Sequence, residues 1–115
     1  MHELSIAQNI IEIALDNSKK MQAKSVCEIE LDIGTISGVI PETLEFALEV
    51  YVKDTILENA KIKINVIEAK AQCRICEKHF ELDDIYTLCP YCGSFEFDII
   101  QGKELKVKSI KIPDN

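Results

Sequence analysis

Val26-Cys27-Glu28-Ile29-Glu30-Leu31-Asp32-Ile33 alternates without a fault between apolar and acidic side chains. Cys27, Ile29, Leu31 and Ile33 face one way, and Glu28, Glu30 and Asp32 face the other. Only an extended chain, with its period of two, sorts residues in this manner, so the stretch is a strand buried on one face. On this reading Cys27 is a small hydrophobe turned toward the core. Upstream, the period changes. Leu4, Ile6, Ala7, Ile10, Ile11, Ile13, Ala14 and Leu15 cover an arc of roughly 200° at 100° per residue, which predicts a helix from Leu4 to about Lys20. Lys19 and Lys20 suit the negative end of its dipole.

Downstream, Gly34 to Gly38 reads as a loop and Pro41 as a first-turn proline. A second helix runs to about Lys53, with Leu44, Ala47, Leu48 and Tyr51 at helical spacing. Lys61 to Val66 alternates again, with Ile62, Ile64 and Val66 inward. Near the end, Leu105 and Val107 share one face while Ile110 and Ile112 share the other, which predicts a bulge or twist near Lys108-Ser109. The outer faces carry opposite charge: acidic on the first strand, lysine-rich on the other two (Lys61, Lys63; Lys106, Lys108). Such faces favour pairing by a few tenths of a kcal/mol per pair. The plainest role for these charges is solvation of an open sheet face. The fold class expected is α+β, with two helices packed on one face of a three-stranded sheet. An insert from about Ala71 to Asp98 interrupts it before the last strand.

The chain has 115 residues and a formal charge of −7, with 47% hydrophobic residues. That content supports a packed core and excludes wholesale disorder. The acidity argues against nucleic-acid phosphates and anionic lipid. No apolar run approaches the roughly 20 residues that span a bilayer, and the first residues lack a basic signal-peptide region. The chain is therefore expected in the cytoplasm, where disulfides rarely persist.

Four of the five cysteines then need another explanation. Cys73-Arg-Ile-Cys76 and Cys89-Pro-Tyr-Cys92-Gly93 are two C-x-x-C pairs twelve residues apart. Two such pairs supply four thiolates in tetrahedral array, the donor set of a structural zinc site. Gly93 can take the positive φ of a tight turn after the last ligand. Phe80, Tyr86 and Phe95 are expected to form the small core of a zinc-ribbon-like module whose folding depends on its metal. Iron in a rubredoxin-like centre uses the same ligands. A thioredoxin-like redox pair lacks its βαβ context here. A closed four-thiolate site leaves no position for catalysis. With no nucleophile–base pair and no phosphate-binding glycine loop, the chain is not read as an enzyme. A zinc-ribbon adaptor for nucleic acid or transcription machinery is the alternative. The insert's six acids (Glu77, Glu81, Asp83, Asp84, Glu96, Asp98) against two bases (Arg74, Lys78) oppose it. His79 reads as an exposed loop residue or a neighbour of the zinc ligands.

The N-terminus adds a second constellation. A Met1 retained before the bulky His2 leaves a free α-amine. That amine, the His2 backbone nitrogen and the His2 imidazole can chelate one ion through fused rings, a nitrogen-rich set suited to Ni(II) or Cu(II). Glu3 could add an oxygen. Met1-His2-Glu3-Leu4-Ser5, then an apolar helix, then C-x-x-C…C-P-x-C-G before a final strand, resembles the HypA/HybF family over nearly the whole chain. The resemblance implies a nickel metallochaperone for [NiFe]-hydrogenase maturation. In it, residues 1–70 plus 99–115 form a nickel-binding α/β domain and residues 71–98 a zinc-binding domain. Met1, His2 and Glu3 would hold transient Ni²⁺, and Cys73, Cys76, Cys89 and Cys92 structural Zn²⁺. It further implies cooperation with the HypB GTPase, delivery to the hydrogenase large subunit and, in some organisms, a share in urease maturation. Relatives often carry a histidine two residues after the second zinc cysteine, where this chain has Lys78. Neither His79 nor Glu42 is assigned as a ligand.

Overall fold

The fold was analysed in a computed structural model, which describes residues 3–84 and 86–113; the side chain of Glu3 lies outside that description. Eight elements follow in order: α1 (Glu3–Lys20), β1 (Glu28–Gly34), α2 (Pro41–Tyr51), β2 (Lys61–Ile67), β3 (Lys70–Cys73), β4 (His79–Glu81), β5 (Phe97–Gln101) and β6 (Leu105–Lys111). They form two three-stranded sheets, ordered β2-β1-β6 and β4-β3-β5. The expected α+β architecture is what forms, with the ribbon built as a sheet of its own.

β1 is the central strand of the first sheet, parallel to β2 and antiparallel to β6. The parallel step is made through α2, as parallel neighbours require. Ile29, Leu31 and Ile33 point into a core shared with Ile6, Ala7, Ile10, Ile11 and Ala14 of α1 and with Leu44, Ala47 and Leu48 of α2. Both helices therefore cover one face. Pro41 opens α2, where its missing N–H costs no hydrogen bond. Along β6 the register slips between Glu30 (opposite Ser109) and Leu31 (opposite Val107), leaving Lys108 as the extra residue. The bulge thus sits where the change of phase places it.

Three burial expectations fail at the margins of this core. Cys27 is exposed, because β1 starts one residue later and the alternation before it is broken; its Sγ donates to the Lys111 carbonyl at 3.3 Å. Val26 is buried instead. Val66 faces the helices' side but lies on the edge strand beside Ile33, past their cover, and is 55% exposed. Leu4 and Ile13 also stay outside, so the buried arc of α1 is narrower than its apolar one.

The uncovered face is charged as read. β1 places Glu28 and Glu30 opposite Lys61 and Lys63 on one side. On the other, Lys111 pairs with Glu28 at 3.0 Å and Lys108 with Glu30 at 3.6 Å. These acids are less solvated than an open face suggests. Asn65 donates from its Nδ2 to Glu30 at 2.7 Å and to Asp32 at 3.0 Å, and Asp32 is only 8% exposed. The Asn65 amide, then Lys108, Lys63 and Ser109, hold the Glu30 carboxyl below its ordinary range against partial desolvation.

The last turn of α1 (Asn17, Lys20) and Met21 after it lie against Val107–Ile110 of β6, beside the start of β1. An 18-residue helix spans about 27 Å and a seven-residue strand about 23 Å. α1 therefore begins at the Gly34 end of the sheet. The ribbon is fastened at that same end, and the molecule is long, 55 × 27 × 17 Å with a radius of gyration of 17.4 Å. A sphere-like domain of this length would have about 13 Å.

Candidate metal centre

β3 leads directly into the first cysteine pair, and β5 runs antiparallel to it, with Cys73 opposite Phe97. The two knuckles have the same backbone plan. In each, the first cysteine's N–H donates to the carbonyl five residues on (Cys73 to Lys78, 3.0 Å; Cys89 to Ser94, 2.9 Å). In each, the residue after the second cysteine donates back to the first cysteine's carbonyl (Glu77 to Cys73, 3.0 Å; Gly93 to Cys89, 2.8 Å). That residue adopts the left-handed region in both, φ 64° at Glu77 and 78° at Gly93. Glycine takes it without strain; glutamate pays about 1 kcal/mol.

This shared turn brings the four sulfurs together, all within 4.8 Å of one another. Cys73 Sγ lies 3.5 Å from Cys92 Sγ, and Cys76 Sγ lies 3.6 Å from Cys89 Sγ. Four sulfurs at about 2.3 Å from a common ion have edges of about 3.8 Å. The arrangement is thus close to a tetrahedron of the right size, and all four residues are free thiols rather than disulfides. The N–H groups of Ile75 and Cys76 point at Cys73 Sγ from 3.4 and 3.5 Å. Those donors, the Cys76 N–H foremost, bring the Cys73 thiol down to about 6. At Cys92 the Ser94 N–H acts in the same sense, but Cys73, burial and the other two thiols outweigh it and push that thiol up to about 12. Clustered thiols resist losing all their protons unless a cation takes their place. The set fits zinc in size, geometry and donor softness.

Cys73 and Cys89 are buried, Cys76 half-buried and Cys92 exposed. The small core beside them is Ala69, Ala71, Phe80 and Leu82, with Phe97, Ile99 and Ile36 packed against it. Phe80 meets Phe97 edge to face at 5.5 Å. Of the three aromatics expected there, only Phe80 takes part. Tyr86 is 83% and Phe95 77% exposed, because the interior is already filled by β3, β4 and β5. His79 opens β4 on the exposed side, lining a depression of about 620 Å³ with Lys70, Glu81, Asp83 and Tyr91, and adds no nitrogen to the sulfur cluster.

Sequence reasoning missed the joint that holds this ribbon to the first sheet. Gly34, Gly102 and Ala69 stack there. A Cβ on Gly34 would lie 1.9 Å from the Gly102 oxygen, and one on Gly102 would lie 2.4 Å from Ala69 Cα. Gly34 donates to Glu104 O at 2.8 Å, Ile36 to Gly102 O at 3.0 Å and Thr35 to Ile67 O at 2.9 Å. Thr35 Oγ1 in turn accepts from Ala69 N at 3.0 Å. Ile36, from the loop after β1, completes the ribbon's core. The signal was available only as two glycines far apart in sequence.

Of the nickel-site residues read from the sequence, Met1 and His2 lie outside the described residues. Glu3 appears only as the first residue of α1, and Glu42 is an exposed first-turn residue of α2. No helix of the chain is long and apolar enough to cross a membrane.

The fold and the centre together define a small α+β protein carrying a tetrathiolate ribbon between its last two core strands. A family model described as hydrogenase/urease nickel incorporation, metallochaperone, hypA matches residues 1–112. The chain belongs to the HypA family, the nickel metallochaperones of hydrogenase maturation. It is 46% identical over 112 residues to the hydrogenase maturation factor HypA of Parabacteroides distasonis, covering 97% of each chain. To that of Francisella philomiragia it is 44% identical over 110 residues, 96% of this chain and 97% of that one. The solution structure of the Ni metallochaperone HypA from Helicobacter pylori superimposes with a TM-score of 0.70 at 24% identity, covering 97% of both chains. A second HypA solution structure gives 0.71 at 26% identity, over 98% of this chain and 97% of that one.

Proposed function

We propose that the chain binds Ni(II) at its N-terminus, through the Met1 amine, the His2 amide nitrogen and imidazole, and Glu3, and delivers it to the precursor of a [NiFe]-hydrogenase large subunit. Cys73, Cys76, Cys89 and Cys92 hold zinc, which shapes the ribbon and takes no part in transfer. On this reading residues 1–70 plus 99–115 form the nickel-binding domain and residues 71–98 the zinc-binding domain. The protein works in the cytoplasm with the HypB GTPase, catalyses no reaction itself and binds neither nucleic acid nor membrane; where urease is present it also serves that enzyme's maturation.

One observation carries the reading: the family match runs from residue 1 to residue 112, and so takes in the terminal Met-His-Glu and the four-cysteine centre together. The chemistry of the two donor sets agrees with it. Thiolates in a closed tetrahedron retain a soft ion, whereas an amine, an amide and an imidazole on a chain end form an open set from which an ion can leave. The nitrogens must be unprotonated to bind, so nickel affinity falls as pH falls.

Nickel titration of the zinc-replete, untagged protein tests this, alongside His2→Ala and a form with one extra residue before Met1. Wild type is expected to bind one exchangeable nickel, and both altered forms to bind at least ten-fold more weakly. Equal binding by all three would refute the terminal site. Metal analysis of the purified protein should give one zinc per chain; iron in its place would overturn the ribbon assignment.

A further inference from the structure

The ribbon folds with only part of its apolar inventory. Its core is complete with Ala69, Ala71, Phe80 and Leu82, backed by Phe97 and Ile99. Ile75, Leu88, Tyr91 and Phe95 are left outside, exposed by 61%, 53%, 59% and 77%. They are not scattered. Ile75 and Tyr91 are the third residues of the two knuckles, and Leu88 adjoins Cys89. Cys89 N–H donates to Ser94 O at 2.9 Å and Arg74 N–H to Glu96 O at 2.9 Å, so the segment carrying Phe95 is pinned across both knuckles. Tyr91 lines the His79 depression under Lys78, and the other three present on the order of 300 Å² of apolar surface, the size of patch that marks an interaction site on a small protein. A knuckle tip turned away from its sulfurs would accept a polar residue equally well, so nothing in the ribbon's own stability demands them.

The patch has an acidic border. Glu77 follows Cys76, Glu96 follows Phe95, and both are exposed. The ribbon's two bases are spent locally: Arg74 is forked onto Asp98 Oδ1 at 2.6 and 2.9 Å, and Lys78 Nζ sits 4.8 Å from the centre of the Tyr91 ring. Four thiolates around a divalent ion add a charge of about −2.

We infer that this end of the ribbon is a docking platform for a basic amphipathic segment of a partner protein. The partner's apolar residues seat on Ile75, Leu88 and Phe95, and its lysines or arginines meet Glu77, Glu96 and the thiolate charge. A second copy of this chain is a poorer occupant, because a self-complementary contact would set the same acidic border against itself. The inference rests on the metal-bound ribbon of the proposed function, so zinc content is measured in every sample to separate the two.

The test is an NMR titration of the zinc-replete, ¹⁵N-labelled full chain with an 18-residue peptide of leucines and lysines at helical spacing. A glutamate-for-lysine peptide and a serine-for-leucine peptide serve as controls. Shift changes are expected at residues 75, 77, 88, 95 and 96. Both controls should bind at least ten-fold more weakly, as should the Ile75→Ser/Phe95→Ser variant with its zinc retained. Phe95→Ser alone, outside the core, serves in its place should the double variant release zinc. Shifts mapping to α2 or to the first sheet, equal binding of either control, unchanged binding by the variant, or burial of the patch in a homodimer would each overturn the inference.

Discussion

Replacing Gly34 by alanine tests the joint that fixes the ribbon to the sheet. The added Cβ would lie 1.9 Å from the Gly102 oxygen, 2.0 Å from its carbonyl carbon and 2.6 Å from Lys103 N. All three are backbone atoms, so no side chain can swing aside. Non-bonded carbons settle at about 3.5 Å, and the two backbones must therefore part by about 1.5 Å. A shift of that size carries Ile36 N–H out of reach of Gly102 O and disturbs the bond from Gly34 N–H to Glu104 O, now 3.0 and 2.8 Å. Two hydrogen bonds at about 1 kcal/mol each, with about 1–3 kcal/mol for overpacking, give a loss of about 3–5 kcal/mol. At about 4 °C per kcal/mol, Tm falls by about 12–20 °C. Thermal and urea unfolding of zinc-replete protein, followed by far-UV circular dichroism, measures it. Gly38→Ala is the control: its φ is +86° but nothing lies within 4 Å, so it bears backbone strain alone, about 1 kcal/mol. A Gly34→Ala variant no less stable than Gly38→Ala would refute the packing argument.

Further expectations concern the centre and the charged face. Glu77→Gly relieves a left-handed glutamate and should tighten zinc binding up to about five-fold in chelator competition, whereas Gly93→Ala should weaken it about five-fold. At Cys76 the Lys78 N–H pulls the thiol down, but burial and the neighbouring thiols Cys89 and Cys73 outweigh it and shift it up, and Cys92 is shifted up to about 12. Both are therefore protonated at pH 7, so zinc binding in a pH-stat should release at least two protons per ion. Affinity should then rise at least about 100-fold per pH unit through neutrality. Asn65→Ala leaves the buried Asp32 without its donor and should cost about 1–3 kcal/mol at pH 7 by urea unfolding. Because the Glu30 carboxyl is shifted down in the folded protein, the stability it contributes is present above its ordinary value of 4.5 and lost as pH falls through the folded value. The Asn65→Ala penalty should accordingly shrink toward pH 3.

What was legible in the sequence was whatever one element's periodicity or one motif's spacing encodes. The alternation of Ile29, Leu31 and Ile33, the phase change after Val107 and Pro41 as helix opener each state a local geometry, and each is found. The cysteine spacing likewise states a shared turn. Failures came where a residue's fate depends on what covers it. Val66 continues its strand's pattern but stands beyond the helices' shelter, and Cys27 precedes its strand, where Val26 takes the buried place. Phe95 and Tyr86 belong to a module whose interior other residues fill first. The Gly34–Gly102–Ala69 stack was invisible for a different reason: glycine names a freedom or a close approach, but not its partner.

The joint and the two donor sets bear on one another. On the proposed assignment, a closed tetrahedron of thiolates and an open, planar nitrogen set keep zinc and nickel apart by geometry and donor type together, so distance is not the only screen between the two sites. The start of α1 can therefore lie at the Gly34 end of the sheet, where the ribbon is fastened, without the cargo exchanging into the tetrathiolate. The interlocked glycines then set where the ribbon stands relative to that helix start, while contributing no ligand to either ion. Gly34→Ala should accordingly leave one zinc and one nickel bound per chain at temperatures where it is folded. It should also let the two sheets tumble separately, giving different ¹⁵N rotational correlation times where the wild type gives one. Equal correlation times in both proteins would mean that the second set of contacts, Thr35 with Ile67 and Ala69, holds the ribbon by itself. The glycine stack would then be a packing detail rather than the fastening.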